Sequence, residues 1–485
     1  MGRVFPVVVS ALLPVATGCA QLVGIDETSN TGRTNTAALT RVSIGATVAT
    51  APLDLTGLTA TYFADDGGKI TRIAADRGGA AGTWTVHLPA PAPIELTTAD
   101  AAFPHQFAFP SMQLELADEQ LEHPDPVPAS ADATIALSVP LDVASTATDQ
   151  FAAFTVGAWS ERGFSAQEVP VGSTSIALTY PYSTATRLGS PGATLDAITT
   201  ADAFLVLRHA GPALTGVAEP PAFDQTGADT VTTGAMVAVV ADQPLEVKVD
   251  PATLASRFAM VKPLVSSLDT QWRVVAAPGY RYAMPFGPEL LQGSLAMDDV
   301  GVSALYANPF VDRGWHALFE LDASETRTFT LPDGTMIALG ATLQQFIEPG
   351  ATSTVLDLPV GLPTLISLDG VQLSADGQSV AAPQDFVQAS FTTDTGTATL
   401  SGLVVLDFIA ATATTGPEVR VVYSAQGRAQ SFELPPEIFQ VGHTYAIRAG
   451  CSFGGFPNID SGDLATQELP VAVSMLDSAV FTVTP

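Results

Sequence analysis

Cysteine is almost missing from this 485-residue chain, which has two, Cys19 and Cys451. Two thiols cannot build a disulfide framework or a cysteine-rich zinc site. Positive charge is scarce as well: Lys and Arg number 19 against 49 Asp and Glu, for a net charge of −30. No basic stripe reverses this locally, so a phosphate polymer is repelled and nucleic acid is excluded as a partner. Charged residues make up only 14%, well below the ~25% of an ordinary soluble protein, so the chain is not a charge-rich disordered one. The acids are scattered, which favours plain surface solvation over cation binding. After Cys19 no run of eighteen apolar residues occurs, so no second segment reads as a membrane span. Strand–helix alternation is lacking, which argues against a Rossmann-like or barrel enzyme. The chain also has no P-loop, no Gly-x-Ser-x-Gly elbow and no His-Glu-x-x-His helix.

What the chain does have is 47% hydrophobic residues with 40 Gly and 36 Pro, a composition suited to many short strands joined by tight turns. Period-two alternation recurs at 83–88, 175–180, 245–249, 327–331, 419–423 and 479–483. Continuous apolar runs at 204–207, 236–240 and 403–406 read as strands buried on both faces. Asp66-Gly67, Asp333-Gly334, Asp369-Gly370 and Asp376-Gly377 are hairpin pairs. Helical spacing is confined to 251–260 and 341–348. The expected fold is all-β, with tandem immunoglobulin-like sandwiches and few short helices. Residues 37–262 form a β-rich region of one or two sandwiches, 263–360 a β-rich middle region, and 361–485 a C-terminal sandwich of immunoglobulin size.

The first residues differ in kind. Arg3 is a short positive region, 4–16 are apolar apart from Pro6, Ser10 and Pro14, and small residues Ala16, Thr17 and Gly18 precede Cys19. This stretch resembles the lipobox of bacterial lipoproteins, with Ala16 standing where Leu is usual. The following Cys19-Ala20-Gln21-Leu22-Val23-Gly24-Ile25-Asp26-Glu27 is similar to the mature start of myxobacterial-type lipoproteins. The resemblance implies a signal peptide over 1–18, a lipid on Cys19, and a polar tether over 19–36. It implies an outer-membrane location on the periplasmic or cell-surface side, since Ala20 and not Asp follows the cysteine; simple secretion is the alternative. A second resemblance is weaker. Leu58 to Tyr62, Asp65-Asp66-Gly67-Gly68 and Gly82 to Val86 are similar to carboxypeptidase-regulatory or transthyretin-like modules.

Few residues suggest chemistry. Leu205 to Ala210, with Arg208 and His209 at its end, resembles the opening motif of histidine phosphatases, whose second His and Arg have no counterpart here. His87, His105, His123, His209, His316 and His443 are isolated in sequence. Asn458, Asp460 and Asp463 offer oxygens within one segment for Ca²⁺, though such residues are also ordinary turn formers. Thr98, Asp100, Asp65 and Asp66 are other oxygen donors. Tyr280 and Tyr282 share a strand face and could stack on a sugar, whereas Trp84, Trp159, Trp272, Trp315, Tyr180 and Tyr182 are better explained as core. Cys451 reads as a small buried hydrophobe. The expectation is a lipid-anchored envelope protein, not an enzyme and without a cofactor, whose role is binding, adhesion or structure. Its partners are the membrane and an envelope protein or polysaccharide. The rival readings are a carbohydrate-binding protein and a hydrolase whose site is assembled in space.

Overall fold

A computed structural model describes residues 33–485, except 53–58, 67–68, 75–82, 89–93, 98–103, 109–112, 121–126, 189–193, 233, 250, 260–267, 279–286, 297–300, 332–333, 351–353, 356–360, 394–398 and 410–417. With 60% of residues in strands and 6% in helix, the fold is all-β. Its spine is one long, mainly antiparallel sheet. In that sheet Asp149–Val156 pairs with Ala203–Ala210, which pairs with Ala213–Ala218. Further along, Leu268–Ala277 pairs with His316–Thr330, and this with Met336–Ile347. Met336–Ile347 then pairs with Glu468–Asp477, from Ala341 opposite Leu476 to Phe346 opposite Val471. Hydrogen bonding therefore crosses from the middle region into the last 120 or so residues, the size expected of a sandwich.

Smaller sheets cover the spine, as alternating side chains require. Thr134–Pro140, Ser175–Pro181 and Ala228–Thr232 turn Ile135, Leu137 and Ile176 onto Phe151, Phe204 and Val206 of the spine. Gln243–Lys248 and Gly301–Tyr306 bury Leu245, Val247 and Val302 with Val274 and Phe319. Near the C-terminus, Pro363–Leu368, Val387–Thr393 and Ser431–Leu434 pack Ile366, Phe391 and Phe432 against Val405, Tyr423 and Ile447. The helix Pro251–Ala259 inserts Leu254 and Phe258, spaced i and i+4, into this same core. Each of these large side chains contributes about 1.5–3 kcal/mol by leaving water.

Several expectations hold. Leu245, Val247 and Val249 are buried while Glu246 and Lys248 are exposed. Phe204 to Leu207 and Leu403 to Leu406 are buried on both sides. Asp369 and Gly370 both take positive φ, 49° and 75°, as a two-residue hairpin turn requires. Two expectations are corrected. Residues 341–348 are not helical but lie almost wholly in the central strand Met336–Ile347, bonded on both edges. Ala341 and Leu343 face one core and Phe346 another, and this two-sided burial mimics helical spacing. Residues 236–240 are not a buried strand: Met236 is buried, but Val237 is 68% exposed and Val240 76% exposed. Strand Arg33–Ile44 begins within the residues 19–36 expected as a tether and pairs with Thr83–Leu88 and Gln113–Gln120.

Candidate functional site

The run at 237–240, exposed at Val237, Ala238 and Val240, belongs to an open groove of about 590 Å³, within the roughly 300–1,000 Å³ of ordinary ligand sites. Three separated segments line it: 217–219, 234–243 and 307–309. Strand Ala213–Ala218 supplies the first and pairs with Val237–Ala238, Val217 opposite Val237. Asp242 continues the second segment by donating its N–H to the Tyr306 carbonyl at 3.1 Å. Asn308 holds the third in place: its amide donates to the Trp315 carbonyl at 3.0 Å and its Oδ1 accepts the Phe310 N–H at 3.0 Å. Arg313 lies over the Trp315 ring at 5.8 Å and reaches Glu219 Oε2 at 2.5 Å. Among the described residues the lining is Val, Ala, Gly and Pro, with Glu219, Asp242, Gln243 and Asn308 as its polar members and no aromatic ring. Sequence reasoning missed the groove. The available signal was Pro244 closing a short apolar run, since Pro marks an edge and not a central strand.

A second polar site lies on the spine. Arg273, Glu320 and Asp322 share one sheet face, Arg273 opposite Glu320. Arg273 Nε donates to Glu320 Oε2 at 2.5 Å and its Nη1 lies 3.6 Å from Glu289 Oε1. Gln344 donates to Asp322 Oδ2 at 2.7 Å. Desolvation pushes the Asp322 carboxyl up to about 6, and Glu320 and Asp269 add to this, while Gln344 and Arg273 oppose it. Desolvation and the nearby Glu289 also raise Glu161.

The histidines are distributed among structural contacts. His443 Nδ1 is 3.1 Å from Asp407 Oδ2, a buried carboxylate that Arg420 also reaches at 3.1 Å. His105 Nδ1 and Ser424 Oγ are 2.6 Å apart, with Ser424 buried. His209 Nε2 meets the Glu289 carbonyl at 2.9 Å. The Arg208-His209 pair, at the end of strand Ala203–Ala210, is likewise held in structural contacts. Arg208 is buried and its guanidinium is held by Asp149 at 2.6 Å and Asp142 at 3.1 Å. Two carboxylates thus occupy the cation that a phosphate would need.

The remaining sequence candidates separate. Cys19, Tyr280 and Tyr282 lie outside the described residues, as do Thr98 and Asp100 and the side chains of Trp84, Asp65 and Asp66. Asn458, Asp460 and Asp463 are close in space but not convergent. Asp463 Oδ1 accepts the N–H groups of Ala465 and Thr466, and its Oδ2 accepts the Asn458 amide at 3.1 Å. These bonds outweigh desolvation and hold the Asp463 carboxyl below its usual range. Asp460 points out to Arg428 at 2.8 Å. This is a self-satisfied turn, and among the described residues no group of three His, Cys, Asp or Glu is placed to hold a metal. Trp159, Trp315, Tyr180 and Tyr182 are core residues. Cys451 is buried beside Ser401, and desolvation pushes its thiol up to about 11. No family model matches the chain, and no curated protein matches it.

Proposed function

We propose that the chain is a lipid-anchored cell-envelope protein with a non-catalytic binding role, its stacked sandwiches holding a groove away from the membrane. The groove at 217–219, 234–243 and 307–309 carries the binding part, because it is of ligand size and exposes Val237 and Val240 to solvent. Isolated exposed valines need no explanation, but apolar side chains gathered along a groove mark an interaction site. The lipobox-like segment ending at Cys19 supports the anchor, and facing sheets with shared cores support immunoglobulin-like modules. Two or three acyl chains on one residue anchor stably where a single chain does not. The experiment is metabolic labelling with clickable palmitate. The wild-type chain takes up label and fractionates with the outer membrane, and Cys19→Ser does neither. Equal labelling of both forms would reject the anchor.

A hydrolase is the second reading, favoured by His443 and Asp407. A buried carboxylate on Nδ1 fixes the tautomer that leaves Nε2 as a base. This reading expects turnover of p-nitrophenyl esters that His443→Gln abolishes. Absence of turnover, or turnover that His443→Gln leaves intact, sets it aside.

A further inference from the structure

We propose that the outer edge of residues 236–240 receives an extended, basic segment of a partner protein as an added β-strand. The inference deepens the binding reading above and rests on it. Val239 donates its N–H to the Thr215 carbonyl at 2.9 Å, and Val237 stands opposite Val217. These two residues therefore turn their backbone groups toward strand Ala213–Ala218. In an extended segment successive residues hydrogen-bond to opposite sides, so Ala238 and Val240 turn theirs outward. Met236 shows the outward direction already in use, its N–H donating to the Pro140 carbonyl at 2.8 Å. From Ala238 onward that side is open: among the described residues no backbone hydrogen bond reaches Ala238 or Val240 from it.

An open edge is a template for another strand unless Lys or Pro guards it, and 236–240 contains neither. Val237 and Val240, 68% and 76% exposed, flank the free backbone groups and offer an apolar grip. In strand addition the main chain supplies affinity and such flanking positions supply selectivity. Charge identifies the occupant. The groove carries the Asp242 carboxylate, with Glu219 already paired to Arg313, and among the described residues no Lys or Arg lines it. A second copy of this chain carries the same net charge of −30, so self-pairing is opposed and a basic segment is drawn in. A polysaccharide fits poorly, because no aromatic ring among the described residues lines the groove for a sugar to stack on.

The test uses the full-length chain, purified in detergent and panned against phage displaying random dodecapeptides. The expected consensus alternates apolar residues and contains Lys or Arg. Fluorescent copies of the enriched peptides then report binding by anisotropy. Ala238→Pro removes one outward N–H without removing a bond to Ala213–Ala218, and it should weaken binding about tenfold. Val240→Glu, at an exposed position, should weaken it by at least a similar factor, and Val171→Glu, at a position 66% exposed outside the groove, should leave it unchanged. Circular dichroism of each variant establishes that the fold is intact. Strand addition is overturned by enrichment of acidic peptides or of no peptide family. Binding indifferent to both Ala238→Pro and Val240→Glu overturns it too, as does a wild-type dimer that Val240→Glu dissolves. Palmitate labelling is independent of these variants, so failure of strand addition and failure of the anchor are separately visible.

Discussion

At the scale of single residues, burial and pairing decide the chemistry. Cys451 is sealed in the core with its thiol pushed up to about 11, so almost none is thiolate at neutral pH and the thiol is inert. It should resist iodoacetamide in the native chain and react once urea unfolds it, as followed by mass spectrometry. Arg208 matters through what it neutralises. Arg208→Ala would leave Asp149, whose side chain is 1% exposed, without its main partner, and breaking such a buried pair costs about 3–5 kcal/mol. Urea denaturation reads this directly. Asp322 sets a pH dependence of known sign. Its folded value of about 6 lies above the ordinary 3.8, so the fold binds a proton that the unfolded chain releases. Its ionised form destabilises the fold at neutral pH, and stability is recovered as pH falls from 6 toward 3.8. The urea midpoint of Asp322→Asn should therefore exceed that of wild type at pH 7.5, with the gap narrowing by pH 5. Comparison with the variant at each pH cancels Asp149, whose carboxyl is lowered because Arg208 and Thr146 outweigh its desolvation.

At the scale of elements, hairpins and edges were readable where one face alone is buried. The alternation at 245–249 and the Asp369-Gly370 turn translate directly into structure, because a half-buried strand and a two-residue turn each impose a local residue pattern. The pattern failed at 341–348, where two cores pull on opposite faces of one strand, and at 236–240, where apolar residues stand at an open edge. Tertiary pairing is equally invisible in the chain order. Trp159 donates its indole N–H to the Ile44 carbonyl, and Trp315 donates to the Ala46 carbonyl at 3.1 Å. Two distant tryptophans thereby clamp the turn that joins Arg33–Ile44 to Val48–Pro52. Removing the clamp at its deepest point, Trp159→Ala, should destabilise by about 3–5 kcal/mol through lost burial, measurable as a lowered urea midpoint. His443 and Asp407, 36 positions apart, likewise meet only because Leu400–Ile409 pairs with Thr444–Gly455, the strand that His443 directly precedes.

At the scale of the whole molecule, the continuous sheet ties the middle and C-terminal regions together. Strand Met336–Ile347 is hydrogen-bonded into both the middle and the C-terminal regions. The all-β class was legible because composition, turn pairs and alternation agree; the sheet shared between the middle and C-terminal regions was not, since pairing between distant strands leaves no local mark. The groove was hidden for the same reason, being assembled from three segments with no common motif. The proposed role adds to this fold an anchor at one end of the chain and an unguarded strand edge within its body. The most direct measurement is mass spectrometry of the tryptic N-terminal peptide from cell membranes. The expected peptide runs from Cys19 to Arg33 and carries two or three acyl chains. An unacylated peptide from a chain that still begins at Met1 in the soluble fraction would contradict it.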